Sequence, residues 1–185
     1  MTKRVFLIHG WEGRPDNHWF PWLSWELKAR GFEVTAVGMP EPDQPKVVPW
    51  IKAIKDAVGR SNKDTFFVGH SLGCISILRY LETLPKQAHV GGVLFVAGFS
   101  GNLQIPEIEE FYVLPIDMEK ARLHYKKAVA IFSDNDSYIS VNESIDFAKK
   151  TGAKAILEKG KGHFTKREGV DSLPSVFSSL MGMAR

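Results

Sequence analysis

A serine between two glycines, Gly69-His70-Ser71-Leu72-Gly73, follows the apolar run Thr65-Phe66-Phe67-Val68 and opens a helical stripe of Leu72, Ile75, Leu78 and Leu81. Strand, sharp turn and helix in that order are the setting in which G-x-S-x-G raises a serine hydroxyl above the end of a buried strand. The turn requires a strained backbone at the serine. Bulky side chains two residues to either side would clash, which accounts for glycine at 69 and 73. The helix start that follows favours negative charge beside the hydroxyl. Such a hydroxyl becomes a nucleophile once a base takes its proton.

Three histidines lie further along the chain, His89, His124 and His163. His163 stands in Gly160-Lys161-Gly162-His163-Phe164, just after the last apolar run, where glycine lets the loop carry a ring over the sheet edge. His124 sits in the charged segment 119–127 and reads as part of a solvated face, while His18 and His89 read as surface or helix-entry residues. His163 is therefore the expected base. Serine elbows of this kind place the acid between nucleophile and histidine in chain order. The acid is expected in the polar stretch 133–139, where Asp134 and Asp136 compete. One of them would accept a ring N–H of His163 and fix its tautomer, and the other would brace its own turn. Asp136 is the preferred acid.

An acyl-transfer intermediate carries an oxyanion that preorganised N–H groups must hold. The expected donors are the amide of Leu72, directly after the nucleophile, and the amide of Trp11 in the loop His9-Gly10-Trp11-Glu12-Gly13. The side chains expected to shape a substrate pocket are Trp11, Phe99 and Phe164. The remaining tryptophans, Trp19, Trp22, Trp25 and Trp50, read as packing residues. Cys74 reads as a buried structural thiol rather than a nucleophile.

These groups need a scaffold that brings distant loops together. Apolar runs at 5–8, 65–68, 93–97 and 128–132 have the continuous pattern of strands buried on both faces, with weaker runs at 32–37 and 153–157. Helical stripes alternate with them: Phe20, Leu23 and Leu27; Val47, Trp50, Ile54 and Val58; the stripe after Ser71; Ile145, Phe147 and Ala148; and Phe177, Leu180 and Met181, the last with Asp171 or Ser172 as a possible cap. Strands alternating with helices imply βαβ units. The expected fold is α/β, a three-layer α/β/α sandwich around a mostly parallel sheet of about six strands. In such sheets ligands sit beyond the carboxyl ends of the strands, where the motifs above fall. The expectation is one domain over 1–185, with the irregular segment 99–117 as a small cap over the site.

Composition bounds the remaining possibilities. With 185 residues, 44% apolar and 24% charged, the chain has the makeup of a globular protein. The net charge of +3 comes without clustered lysine and arginine, so no nucleic-acid partner is expected. No apolar stretch approaches the length of a membrane span, and Val5 to Ile8 is too short for a signal-peptide core. A single cysteine fits a reducing compartment, so a cytoplasmic location is expected.

The motifs resemble those of the α/β-hydrolase superfamily and, more narrowly, of the small serine hydrolases related to retinoblastoma-binding protein nine and its bacterial homologues. The similarity runs through His9-Gly10-Trp11-Glu12-Gly13, His18-Trp19, Trp22-Leu23, the elbow at 69–73 and Gly162-His163-Phe164. That family's acid stands in an Asp-Pro-Tyr-Val type turn. Asp136-Ser137-Tyr138-Ile139 matches it with serine in place of proline, which supports Asp136 over Asp134. The resemblance implies a compact hydrolase without a large cap, acting on a small ester or amide without metal or organic cofactor. Two other readings of the same residues stand beside it: a non-catalytic interaction protein that keeps the fold, or an acyltransferase or peptidase with the same triad. The namesake's pocket-protein binding reads Leu-x-Cys-x-Glu, and Leu72-Gly73-Cys74-Ile75-Ser76 lacks the glutamate.

Overall fold

The structure is a computed structural model that describes residues 2–185. Six strands form one sheet: β1 (Arg4–Ile8), β2 (Glu33–Val37), β3 (Thr65–His70), β4 (Gly92–Val96), β5 (Ala128–Ser133) and β6 (Lys154–Glu158). Their order is β2-β1-β3-β4-β5-β6, and every neighbouring pair is parallel. β3 and β4 are buried at every residue, as their unbroken apolar runs require, whereas β2 and β6 are edge strands with exposed positions. An edge strand has one neighbour and less cover, which is why these two carry the weaker apolar patterns.

The helices are α1 (Phe20–Lys28), α2 (Val47–Val58), α3 (Leu72–Glu82), α4 (Glu110–Val113), α5 (Met118–Arg122), α6 (Val141–Thr151) and α7 (Pro174–Met183). α1 packs on α7 in one layer, and α2, α3, α5 and α6 follow one another in the other. α3 is the central helix, with nine buried residues from Leu72 to Leu81. Its cover on both sides explains why its stripe reads as nearly all apolar. Two other stripes are buried as expected at Phe147, Ala148 and Leu180 but depart at their remaining positions. α6 buries Ser144, Phe147, Ala148 and Thr151, and Ile145 turns outward. α7 buries Val176, Leu180 and Met183, leaving Phe177 and Met181 half-buried, and neither Asp171 nor Ser172 caps it, because the cap position falls on Leu173. Apolar residues on both flanks of a helix blur the choice of face, and contact with the sheet decides it.

From β1 the chain steps outward to β2 and then crosses back to β3 on the other side of β1. The loops after β1 and β3 therefore leave the sheet in opposite directions and open a crevice between them. The pairing of Ile8 with Gly69 sets the two loops level, so that His9 to Gly13 lies beside the elbow. Segment 99–117 contains a 3₁₀ turn at Pro106–Ile108 and α4, and it is anchored by Phe111, whose ring meets Trp50 at 5.4 Å. Among the described residues no helix is long and apolar enough to cross a membrane.

Candidate active site

Ser71 sits at the junction of β3 and α3 with φ 53° and ψ −121°, a backbone that a non-glycine residue adopts only under strain. The turn is held by Ser71 N–H donating to the Val96 carbonyl at 2.9 Å and Cys74 N–H donating to the Ser71 carbonyl at 2.9 Å. Both flanking glycines are required by space. A Cβ at Gly69 would lie 2.8 Å from Cys74 N, and one at Gly73 would fall on the carbonyl of Ile8. Gly10 brings the neighbouring loop in as closely, since a Cβ there would stand 3.0 Å from Ser71 Cβ and 3.5 Å from Leu72 N.

The loops after β5 and β6 are joined by four consecutive side chains. Ser133 Oγ accepts from Lys161 N–H at 3.0 Å, Asp134 Oδ1 from Gly160 N–H at 2.8 Å, and Asn135 Oδ1 from Gly162 N–H at 2.8 Å. Asp136 Oδ2 then takes the Nδ1–H of His163 at 2.8 Å, while its Oδ1 accepts from the amides of Tyr138 and Ile139 at 2.8 and 3.1 Å. The contact with Asp136 puts the ring proton on Nδ1 and leaves Nε2 as the free nitrogen. The Asp136 carboxylate is 3% exposed and the His163 ring 10%, so the pair is shielded from water on nearly every side. The geometry thus separates the two competing aspartates: Asp136 meets the imidazole, and Asp134 braces the loop that carries it.

Ser71 and His163 line one cavity of about 260 Å³, together with Trp11, Arg14, Leu103 and Arg167 among others. Among the described residues no hydrogen bond joins Ser71 Oγ to the ring; in enzymes with such a pair this contact commonly tightens when substrate binds. The amides of Trp11 and Leu72 have no backbone acceptor among the described residues. Phe99 and Phe164, expected in the pocket lining, do not reach it. Both are fully buried in the hydrophobic core, and the apolar wall comes instead from Leu103, Ile105 and Ile108. Cys74 is buried with Sγ 3.4 Å from the Val96 carbonyl, and burial pushes its thiol far above the ordinary range.

Three further histidines, His9, His18 and His70, line the same cavity, and the sequence assigned none of them a part in the chemistry. His70, inside the elbow itself, is buried, with Nε2–H donating to the His163 carbonyl at 2.8 Å. Burial, and then the neighbouring His163, hold it well below the ordinary imidazole value, against the pull of that carbonyl. His9 donates from Nδ1 to the Gly10 carbonyl at 2.8 Å and accepts the Met39 N–H at 3.1 Å on Nε2. Burial lowers its pKa, opposed by the Gly10 contact. His18, lowered by burial and then by His163, accepts the Lys166 N–H on Nδ1 at 3.1 Å, which puts its own proton on Nε2. It lines the cavity and is no mere surface residue. His124 is likewise misplaced on a solvated face. It is 1% exposed and its Nδ1 donates to the Ala88 carbonyl at 2.7 Å, joining the end of α5 to the approach to β4. Charged neighbours on both sides hid its burial. Glu168, unremarked in the sequence, accepts the backbone N–H of His163 at 2.8 Å and the N–H and hydroxyl of Thr165 at 3.0 and 2.8 Å.

A family model described as serine hydrolase matches residues 5–182. The chain belongs to the serine hydrolase family. YdeN of Bacillus subtilis (strain 168) is 35% identical over 181 residues, covering 97% of this chain and 95% of YdeN. The crystal structure of that gene product superposes with a TM-score of 0.94 over 98% of each chain. Serine hydrolase RBBP9 of Rattus norvegicus is 25% identical over 97% of this chain and 96% of its own. Est1E of Butyrivibrio proteoclasticus, at 13% identity, has a TM-score of 0.75 over 98% of this chain and 88% of its own, a likeness of fold alone. The protein is accordingly a hydrolase with the compact α/β-hydrolase fold.

Proposed function

We propose that this serine hydrolase cleaves a small carboxylic ester or amide through an acyl-enzyme on Ser71, with His163 as base and Asp136 as its orienting acid. The observation that carries the reading is the 2.8 Å contact of His163 Nδ1 with a buried Asp136, in a cavity that Ser71 shares. His163 Nε2 takes the hydroxyl proton as Ser71 Oγ bonds to the carbonyl carbon, and the carbonyl electrons move onto oxygen. The amides of Leu72 and Trp11 hold that oxyanion, and the approach of Gly10 to Ser71 supports their convergence. The oxyanion collapses, the bond to the leaving group breaks, and His163 hands its proton to that group. Water, deprotonated by the same imidazole, then releases the acid and restores Ser71. Residues 103–108 act as a short cap on this cavity, in place of the buried Phe99 and Phe164.

A fluorophosphonate probe tests the reading. It should label the wild type at Ser71 and leave Ser71→Ala unlabelled, with ester turnover reduced by about 10⁴-fold or more in that variant. Equal labelling of the two proteins would reject Ser71 as nucleophile.

A further inference from the structure

Resting on the acyl-enzyme reading above, we infer that the substrate carries an anionic group, a carboxylate or a phosphate, held by Arg14 and Arg167 beside the scissile bond. Three formally charged side chains other than the histidines line the cavity: Glu12, Arg14 and Arg167. Among the described residues, neither Arg14 nor Arg167 has an ion-pair partner or a side-chain hydrogen bond. Arg30 pairs with Glu26 at 2.7 Å and Arg79 with Glu82 at 3.4 Å, while among the described residues the exposed Arg60 and Arg122 also lack a partner; what sets Arg14 and Arg167 apart is that both, though exposed, line the cavity that Ser71 lines. Asp136 offers the pair nothing, because its oxygens are taken by His163, Tyr138 and Ile139.

The two arginines arrive from distant parts of the chain. Arg14 lies in the loop after β1, and Arg167 in the 3₁₀ turn Lys166–Glu168. The Lys166 N–H to His18 Nδ1 contact ties these segments together, and the charge of Arg167 is near enough to help keep His18 neutral. His18 then presents Nε2–H as a further donor on the same side, and Asn17 and Thr165 add polar groups to the lining. The apolar Leu103, Ile105 and Ile108 come from another segment, tied to α2 through the amide of Val47 and Glu110. A lining with partnerless guanidinium donors on one segment pair and aliphatic side chains on another fits a ligand with a short apolar part and an anionic part. Guanidinium forks match carboxylate and phosphate oxygens in geometry as well as charge. Glu12 is the one acidic side chain in the lining, and its backbone N–H is spent on the Pro42 carbonyl.

The test uses a pair of esters that differ in one charge, 4-butyryloxybenzoate and its methyl ester, each assayed on the same preparations. In wild type, kcat/KM for the anionic ester should fall as salt rises, while that for the methyl ester stays flat. The ratio of anionic to neutral kcat/KM should drop at least tenfold in Arg14→Gln/Arg167→Gln and recover largely in Arg14→Lys/Arg167→Lys. Measuring a ratio on one preparation removes any effect of lost folded protein. In parallel, 4-hydroxybenzoate should protect Ser71 from a neutral fluorophosphonate at lower concentration than its methyl ester does. An unchanged ratio in the glutamine variant, or equal protection by the two phenols, overturns the anion assignment. Absence of Ser71 labelling by the probe overturns the acyl-enzyme reading instead.

Discussion

His70 Nε2 lies 2.8 Å from the carbonyl oxygen of His163, so the residue just before Ser71, the proposed nucleophile, holds the backbone of the proposed base. Glu168 takes the N–H of the same residue at 2.8 Å, and Asp136 takes its ring. His163 is gripped at N–H, C=O and Nδ1, which fixes its ring at the wall of the cavity that Ser71 also lines. Ser71 and His163 therefore share one mechanical frame, though they are 92 positions apart in a chain of 185 residues.

Removing the His70 grip should misplace His163, the proposed base, more than it disturbs binding. In His70→Ala we expect kcat to fall by about 10²-fold, the cost of roughly 1 Å of misplacement, with KM changed far less. His70→Asn, whose amide can still donate, should recover part of the loss. Steady-state kinetics of both variants on one neutral ester check this. A fall confined to KM would place His70 in substrate binding instead.

The aspartates of the 133–136 ladder should respond very differently. Asp136→Asn keeps shape but spoils the tautomer of His163, so kcat should fall by about 10⁴-fold. Asp134→Ala removes the acceptor for Gly160 N–H, and should cost about 1 kcal/mol of stability while activity stays within a few-fold of wild type. Urea unfolding and ester turnover on the two variants give the comparison. Equal loss of activity in both would mean that the division of roles drawn from the geometry, Asp136 on the imidazole and Asp134 on the loop, is wrong.

The contrast shows what is legible in a sequence. The elbow at Ser71, the strand alternation and the meeting of Asp136 with His163 rest on local patterns: glycine spacing, apolar runs and a turn of known type. What stayed hidden depends on contacts between distant segments. Glu168 reads as one more surface acid until the loop folds back to His163, and His124 looks solvated because its charged neighbours face away from the Ala88 carbonyl it meets. Phe99 and Phe164 stand next to the right loops, yet a side chain beside a site can point either way, and both point into the core. Ile145 and Phe177 failed for a related reason, since flanking apolar residues leave the buried face of a helix undecided.

Glu168 also predicts a pH dependence of stability. Burial works against its ionisation, but the amides of His163 and Thr165, the Thr165 hydroxyl and the charge of His163 outweigh it and hold the carboxyl below its ordinary value. A carboxylate with a depressed folded pKa stabilises the fold above its unfolded value and loses that contribution as pH falls through the folded one. The urea midpoint of wild type should therefore exceed that of Glu168→Gln at neutral pH, and the gap should narrow as the pH is lowered below the ordinary glutamate range of about 4.3. A gap that widened on acidification would contradict the sign.

Gly162 and Gly160 offer the sharpest separation of backbone strain from steric fit. Both have positive φ, +52° and +68°, so alanine at either pays the left-handed penalty of about 1–2 kcal/mol. At Gly160 a Cβ meets nothing within 4 Å, and at Gly162 it would fall on the Glu168 carboxylate. Gly160→Ala should therefore lose stability by the backbone term alone and keep its activity. Gly162→Ala must also expel Glu168, releasing the N–H of His163 that this acid holds. It should be less stable than Gly160→Ala by a further 1–3 kcal/mol or so, the cost of a lost hydrogen bond to a charged group, and its kcat should fall with that of Glu168→Gln. Adding Glu168→Gln to Gly162→Ala should then cost less activity than it does in wild type, because the same contact cannot be broken twice. Full additivity of the two substitutions in kcat would show that Gly162 acts on the base by some route other than Glu168.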